Sequence, residues 1–122
     1  MAKILIVEDD ETLAKMYQKK LEYEGFLVQT AFSGEDGLKA VSEDKPDLIL
    51  LDIMMPGIDG FAVIKKLKAD DKSKDIPIII LTASGAKDLE RKCMALGVEE
   101  IIQKPYESSY LLERIAFYLG ES

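Results

Sequence analysis

Short runs of branched apolar residues alternate along the chain with longer stretches in which apolar residues recur every three or four positions. Ile4-Leu5-Ile6-Val7, Leu48-Ile49-Leu50-Leu51 and Ile76-Pro77-Ile78-Ile79-Ile80-Leu81 lack polar alternation, the pattern of strands buried on both faces of a parallel sheet. Phe26-Leu27-Val28-Gln29-Thr30-Ala31 and Val98-Glu99-Glu100-Ile101-Ile102 mix apolar with polar positions, as edge strands tolerate. Between and after these runs, helical spacing joins Leu13, Met16, Tyr17 and Leu21; Leu38 and Val41; Phe61, Ile64 and Leu67; Leu89, Cys93 and Leu96; and Leu111, Leu112, Ile115 and Leu119. Each segment offers one apolar face. Gly25, Gly97 and Gly120 stand where helices should end.

The predicted order is therefore strand then helix, five times over. Strict alternation requires right-handed crossovers, with helices on both faces of the sheet. The expected architecture is α/β, a (βα)5 doubly wound, flavodoxin-like sandwich around a five-stranded parallel sheet. No linker, low-complexity tract or longer repeat interrupts it, so residues 1–122 are expected to form one domain.

Composition narrows the chemistry. With 16 basic and 23 acidic residues the net charge is −7, which disfavours direct nucleic-acid or anionic-lipid binding. No apolar run approaches the ~20 residues of a membrane span, and the short apolar stretch after Met1-Ala2-Lys3 is too brief for a signal peptide. A cytoplasmic location is expected. Cys93 is the sole cysteine and histidine is absent, which removes internal disulfides, thiolate–imidazole zinc sites and His-dependent triads. The chain cannot itself be a histidine phosphodonor, and any metal must be held by oxygen.

Open sheets of this type bind ligands beyond the carboxyl ends of their strands, so the residues there are the candidates. After the first strand comes Glu8-Asp9-Asp10-Glu11, which also reads as helix capping with acids at the positive dipole end. Asp52 directly follows the third apolar run, where the core meets the functional edge, while Pro56-Gly57 marks a turn and Asp59 reads as a structural helix cap. Thr82 and Lys104 follow the fourth and fifth strands. Singly, Thr82 is equally a strand-end residue and Lys104 an ordinary surface lysine.

Together, Asp9, Asp52, Thr82 and Lys104 come from four strand ends that the fold gathers at one edge. Clustered carboxylates repel and raise one another's pKa unless a divalent cation neutralises them. An oxygen-only site that keeps waters suits Mg2+, with Mn2+ a plausible substitute. Asp52 could then attack phosphorus, Lys104 balance charge and the Thr82 hydroxyl donate to a phosphoryl oxygen. The added charge and acceptors are suited to reordering the loop and helix after Thr82.

Ile4-Leu5-Ile6-Val7-Glu8-Asp9-Asp10, the set Asp52, Met55, Pro56, Asp59 and Gly60, Leu81-Thr82-Ala83, and Lys104-Pro105 resemble the receiver domain of two-component response regulators over essentially the whole chain. The resemblance implies a signalling domain rather than an enzyme acting on free substrates, with Asp52 phosphorylated by a histidine kinase or histidine phosphotransfer protein. It implies that Asp9 binds Mg2+ directly, Glu8 through water, and Asp52 and the Met54 carbonyl as further ligands. It also implies that Thr82 and Lys104 hold the phosphoryl group, that Lys104-Pro105 is cis, and that Met54 and Ser84 tune hydrolysis. The output face would be made by the fourth helix, fifth strand and fifth helix, on a monomer or a phosphorylation-dependent homodimer. One departure is Ile101, where the family often has an aromatic residue that rotates inward as Thr82 moves.

A flavin-binding protein would need a hydroxyl- and glycine-rich phosphate loop where Glu8-Asp9-Asp10-Glu11 stands. An aspartate-nucleophile phosphatase would resemble Asp-x-Asp, where this chain has Met54. The remaining alternative is a phosphorylation-independent, receiver-like interaction module. Whether the sequence acts alone or belongs to a longer regulator stays open.

Overall fold

The computed structural model describes residues 1–53, 60–83, 85 and 87–120. Its elements alternate as β1 (Lys3–Val7), α1 (Glu11–Tyr23), β2 (Leu27–Ala31), α2 (Gly34–Glu43), β3 (Leu48–Asp52), α3 (Gly60–Ala69), β4 (Ile78–Thr82), α4 (Lys87–Ala95), β5 (Glu100–Gln103) and α5 (Ser108–Tyr118). All four pairings are parallel and the strand order is β2-β1-β3-β4-β5. The three unbroken apolar runs occupy the centre and the two mixed runs the edges, as their patterns require.

Alternation along the central strands divides the core in two. Leu5, Val7, Ile49, Leu51, Ile78 and Ile80 face α2, α3 and α4, where Ala40, Val63, Ile64, Leu67 and Cys93 meet them. Ile4, Ile6, Leu48, Leu50, Ile79 and Leu81 face α1 and α5, against Ala14, Tyr17, Leu21, Leu111 and Ile115. Each buried Leu or Ile contributes about 1.5–3 kcal/mol, so both layers are firmly held and the strand ends they carry are well positioned.

Strand starts differ from the sequence pattern for a physical reason. Phe26 and Val98 are taken by helix termination: Gly25 and Gly97 lie at φ 97°, in the left-handed region that glycine enters without steric cost. The Phe26 and Val98 N–H groups donate back to the Leu21 and Cys93 carbonyls at 3.1 and 3.4 Å. The Gly25 and Gly97 N–H groups reach Glu22 and Met94, at 3.0 Å each. This is the Schellman arrangement, in which the apolar residue after the glycine packs back onto the helix. Before β4, Ile76 N–H turns back to the Ser73 carbonyl at 3.0 Å and Pro77 has no N–H to give, so the ladder starts at Ile78. In α1 the buried positions are Ala14, Tyr17 and Leu21, whereas Met16 is 42% exposed at the margin of the stripe.

Candidate functional site: an acidic cluster at the carboxyl edge of the sheet

β1 and β3 are paired so that Val7 lies beside Leu51, which sets the next residues, Glu8 and Asp52, side by side. Carboxylate oxygens of Glu8, Asp9 and Asp52 all lie within 4.8 Å of one another. Their environments differ: Glu8 is 3% exposed, Asp52 half-buried and Asp9 exposed. Asp10 belongs to the helix instead, since its side chain caps α1 by accepting from Leu13 N–H at 3.1 Å. The acidic run thus divides between a cap and a cluster. Asp10 also serves the cluster through its backbone, its N–H donating to Glu8 Oε2 at 3.2 Å.

Burial, opposed by the Asp10 N–H bond and reinforced by Asp9 and Asp52, pushes the Glu8 carboxyl up to about 7. Only one cation reaches it: among the described residues Lys104 Nζ lies 3.4 Å from Glu8 Oε1. Lys104 follows β5, and its N–H donates to the Thr82 carbonyl at 2.7 Å, tying the ends of β4 and β5. The Lys104-Pro105 peptide is cis. In register Asp52 lies beside Leu81 and Thr82 beside Gln103, so Thr82 comes one residue further out than Asp52. Thr82 is fully buried, 0% exposed.

The fold therefore brings Glu8, Asp9, Asp52, Thr82 and Lys104 to one edge. Met54 with its carbonyl, the Pro56-Gly57 turn, Asp59 and Ser84 lie outside the described residues. Three clustered carboxylates facing one lysine form an oxygen-only donor set with excess negative charge, which fits a hard divalent cation such as Mg2+. Such a cation would hold the Glu8 carboxyl ionised against its burial.

Three neighbours of the site owe their place to packing that the sequence pattern does not state. Gly60 opens α3 hard against Ile53, the residue after Asp52: an added Cβ would lie 2.5 Å from Ile53 Cδ1 and 2.9 Å from its Cα. Tyr106, two residues after Lys104, stacks on Tyr17 with ring centroids 6.3 Å apart. Its buried hydroxyl makes no hydrogen bond among the described residues, and burial raises its pKa. Gln103 lies over Gly85 after β4, its Nε2 2.8 Å from where a Cβ would stand. Ile101 is half-buried against the core layer of α2, α3 and α4.

The sequence profile described as the response regulator receiver domain matches residues 4–116. The chain is 36% identical over 119 residues to the polar-differentiation response regulator DivK of Brucella anthropi, covering 98% of this chain and 97% of that protein. It is 37% identical over 114 residues to the response regulator PleD of Caulobacter vibrioides, covering 93% of this chain and 25% of PleD. For several other curated relatives it spans about half of their length. The crystal structure of the response regulator protein TrrA from Thermotoga maritima, in complex with Mg2+–BeF, is similar at 32% identity with a TM-score of 0.86, covering 97% of this chain and 99% of that one.

Proposed function

The chain belongs to the response regulator receiver domain family, and on that premise we propose that it is a phosphorylation-dependent switch in which Asp52 accepts a phosphoryl group with Mg2+. The observation that carries the proposal is the meeting of the Glu8, Asp9 and Asp52 carboxylates within 4.8 Å, beside the Lys104 ammonium. The family is one of signalling domains. The Mg2+–BeF complex of TrrA supports the same ion here.

In this reading an Asp52 carboxylate oxygen attacks phosphorus. A new O–P bond forms while the donor's P–N or P–O bond breaks, and the departing group keeps the electron pair. Asp9, Asp52 and Glu8, with the Met54 carbonyl that the resemblance implies, would hold Mg2+, and the ion would supply neutralisation of the gathered charge. Lys104, released from Glu8 by a few ångströms of movement, would pair with a phosphoryl oxygen, and the Thr82 hydroxyl would turn out from its buried position to donate to another. Residues 1–122 hold no histidine, so the phosphoryl donor lies outside them, on a histidine kinase or a histidine phosphotransfer protein.

Thr82 and Lys104 are joined through the backbone, so their rearrangement would be read through β4 and β5. The receiving surface would be the face of α4, β5 and α5, either docking a downstream protein or pairing with a second copy. Residues 1–122 act as one switching unit in the cytoplasm. No helix among the described residues is long and apolar enough to cross a membrane.

Incubation with acetyl phosphate and Mg2+, followed by intact-mass measurement, tests this. One added phosphoryl group is expected on the wild type, and none in EDTA or on Asp52→Ala. No adduct on the wild type, or equal labelling of Asp52→Ala, would leave the phosphorylation-independent module as the better reading.

A further inference from the structure

We propose that the groove between α2 and α3 docks an acidic amphipathic helix of a partner protein, at the end of the sheet opposite Asp52. Leu38, Val41 and Leu67 form its floor, and Lys45, Lys66 and Lys72 stand around it. Its volume of about 650 Å³ lies within the ~300–1,000 Å³ range of ligand-binding clefts.

The lysines distinguish this groove from an ordinary gap between helices. Nearby Lys39, Lys68 and Lys74 pair with Glu43, Glu99 and Asp71, but Lys45, Lys66 and Lys72 make no ion pair among the described residues. Lysines near helix C-termini do complement the helix dipole, yet Lys72 lies beyond α3, on the turn that precedes β4. The one acid lining the groove, Asp70, already accepts the Lys72 N–H at 2.9 Å. Ser42 and Ser73 also line it, and each turns its hydroxyl back to a main-chain carbonyl, of Lys39 at 2.8 Å and Leu67 at 2.7 Å. What the groove offers an occupant is therefore an apolar floor and a cationic margin.

Charge complementarity selects the occupant. The chain carries a net −7, so an extended anionic surface such as a membrane or a nucleic acid would be repelled as a whole. A short acidic segment inside the groove responds mainly to charges within a Debye length of ~8 Å; among the lining residues three lysines face the single acid Asp70, and the adjoining Asp44 and Asp71 are already paired with Lys3 and Lys74. Two flanking helices with apolar residues between them form the kind of groove that accepts a third amphipathic helix. Its leucine-like residues would cover Leu38, Val41 and Leu67, and its acids would meet the three lysines.

Position separates this docking from the acidic cluster. The groove lies where β3 and β4 begin and Asp52 where β3 ends, so a five-residue strand, about 15 Å, lies between them. A helix bound here leaves Asp52 and the face of α4, β5 and α5 uncovered, and it would tether a partner in either state of Asp52. The inference does not depend on Asp52 being phosphorylated.

The test is an amide-resonance titration of the 15N-labelled protein with a synthetic helix of Leu, Ala and Glu, its leucines at i, i+3, i+4 and i+7. Shifts confined to residues 38–45 and 66–73 are expected, with the same affinity whether or not Mg2+ and beryllofluoride are present. The triple variant K45E/K66E/K72E, altered only at exposed lysines, should bind at least about tenfold more weakly, the sum of three modest ion pairs. A control helix with Gln in place of Glu should weaken equally. Shifts outside the groove, equal binding by the triple variant, or saturation by sodium decanoate where the acidic helix fails would each overturn the proposal, the last in favour of a small anionic amphiphile.

Discussion

Replacing Glu8 by Gln should stabilise the metal-free protein at alkaline pH and leave it no more stable than the wild type at acid pH. Glu8 is buried and its carboxyl rises from 4.5 to about 7 in the folded chain. The folded state therefore holds a proton that the unfolded state has lost across that interval. Glu8's contribution to stability is full below pH 4.5, falls as pH rises towards 7, and is gone above it. A displacement of this size corresponds to about 3 kcal/mol. Gln keeps the shape and an acceptor for the Asp10 N–H, but it gives up the ion pair with Lys104 at 3.4 Å, which returns part of the gain. The net expectation at pH 8 in EDTA is roughly 1–2 kcal/mol of added stability, or about 3–8 °C in Tm for a domain of this size. Urea melts at pH 4.5 and pH 8, with and without Mg2+, would measure it. Mg2+ should stabilise the wild type at pH 8 and the variant much less, because the variant lacks one ionised carboxylate. A variant less stable than wild type at pH 8 in EDTA, or differing from it equally at both pH values, would refute the reasoning.

Other substitutions separate scaffold from chemistry. Gly60→Ala should cost about 2–3 kcal/mol, because its Cβ would meet Ile53 main-chain atoms at 2.9 Å; a urea-melt difference below about 0.5 kcal/mol would contradict the close approach. Asp10→Ala should cost about 1 kcal/mol through loss of the α1 cap while leaving Asp52 labelling by acetyl phosphate intact, since Asp10 supplies the cluster only its backbone N–H; lost labelling in a folded Asp10→Ala protein would place its side chain in the site.

Much of the molecule was legible in the sequence because the signals were redundant. Ile4–Val7, Leu48–Leu51 and Ile78–Leu81 are buried on both faces, so every residue is apolar and the central strands stand out without knowledge of their partners. Asp9, Asp52, Thr82 and Lys104 were locatable because each lies at or just beyond the carboxyl end of a strand, with Asp52 and Thr82 closing β3 and β4, and topology alone sends those ends to one edge. What depended on partners distant in sequence was not legible. Phe26 and Val98 read equally as strand and as the apolar residue of a helix terminus, and only the Gly25 and Gly97 turns decide. Nothing in Glu8-Asp9-Asp10 says which acid is buried and which caps the helix, because that depends on how α1 leaves β1. Gly60 against Ile53 and Tyr106 on Tyr17 are likewise packing facts. At Ile101 the sequence gives the residue and its branching, and the structure adds that it lies half-buried against the layer that includes α4.

The proposal that Asp52, rather than Glu8 or Asp9, is the nucleophile has a direct test. The protein is phosphorylated with acetyl phosphate and Mg2+, quenched, reduced with sodium borohydride and digested, and the peptides are sequenced by mass spectrometry. Borohydride converts an aspartyl phosphate to homoserine and leaves free carboxylates untouched. Homoserine at position 52 alone, lost when Mg2+ is withheld, is the expected result; homoserine at position 9, the corresponding reduced product at position 8, or an unreduced Asp52 in a protein that gained phosphoryl mass would contradict it.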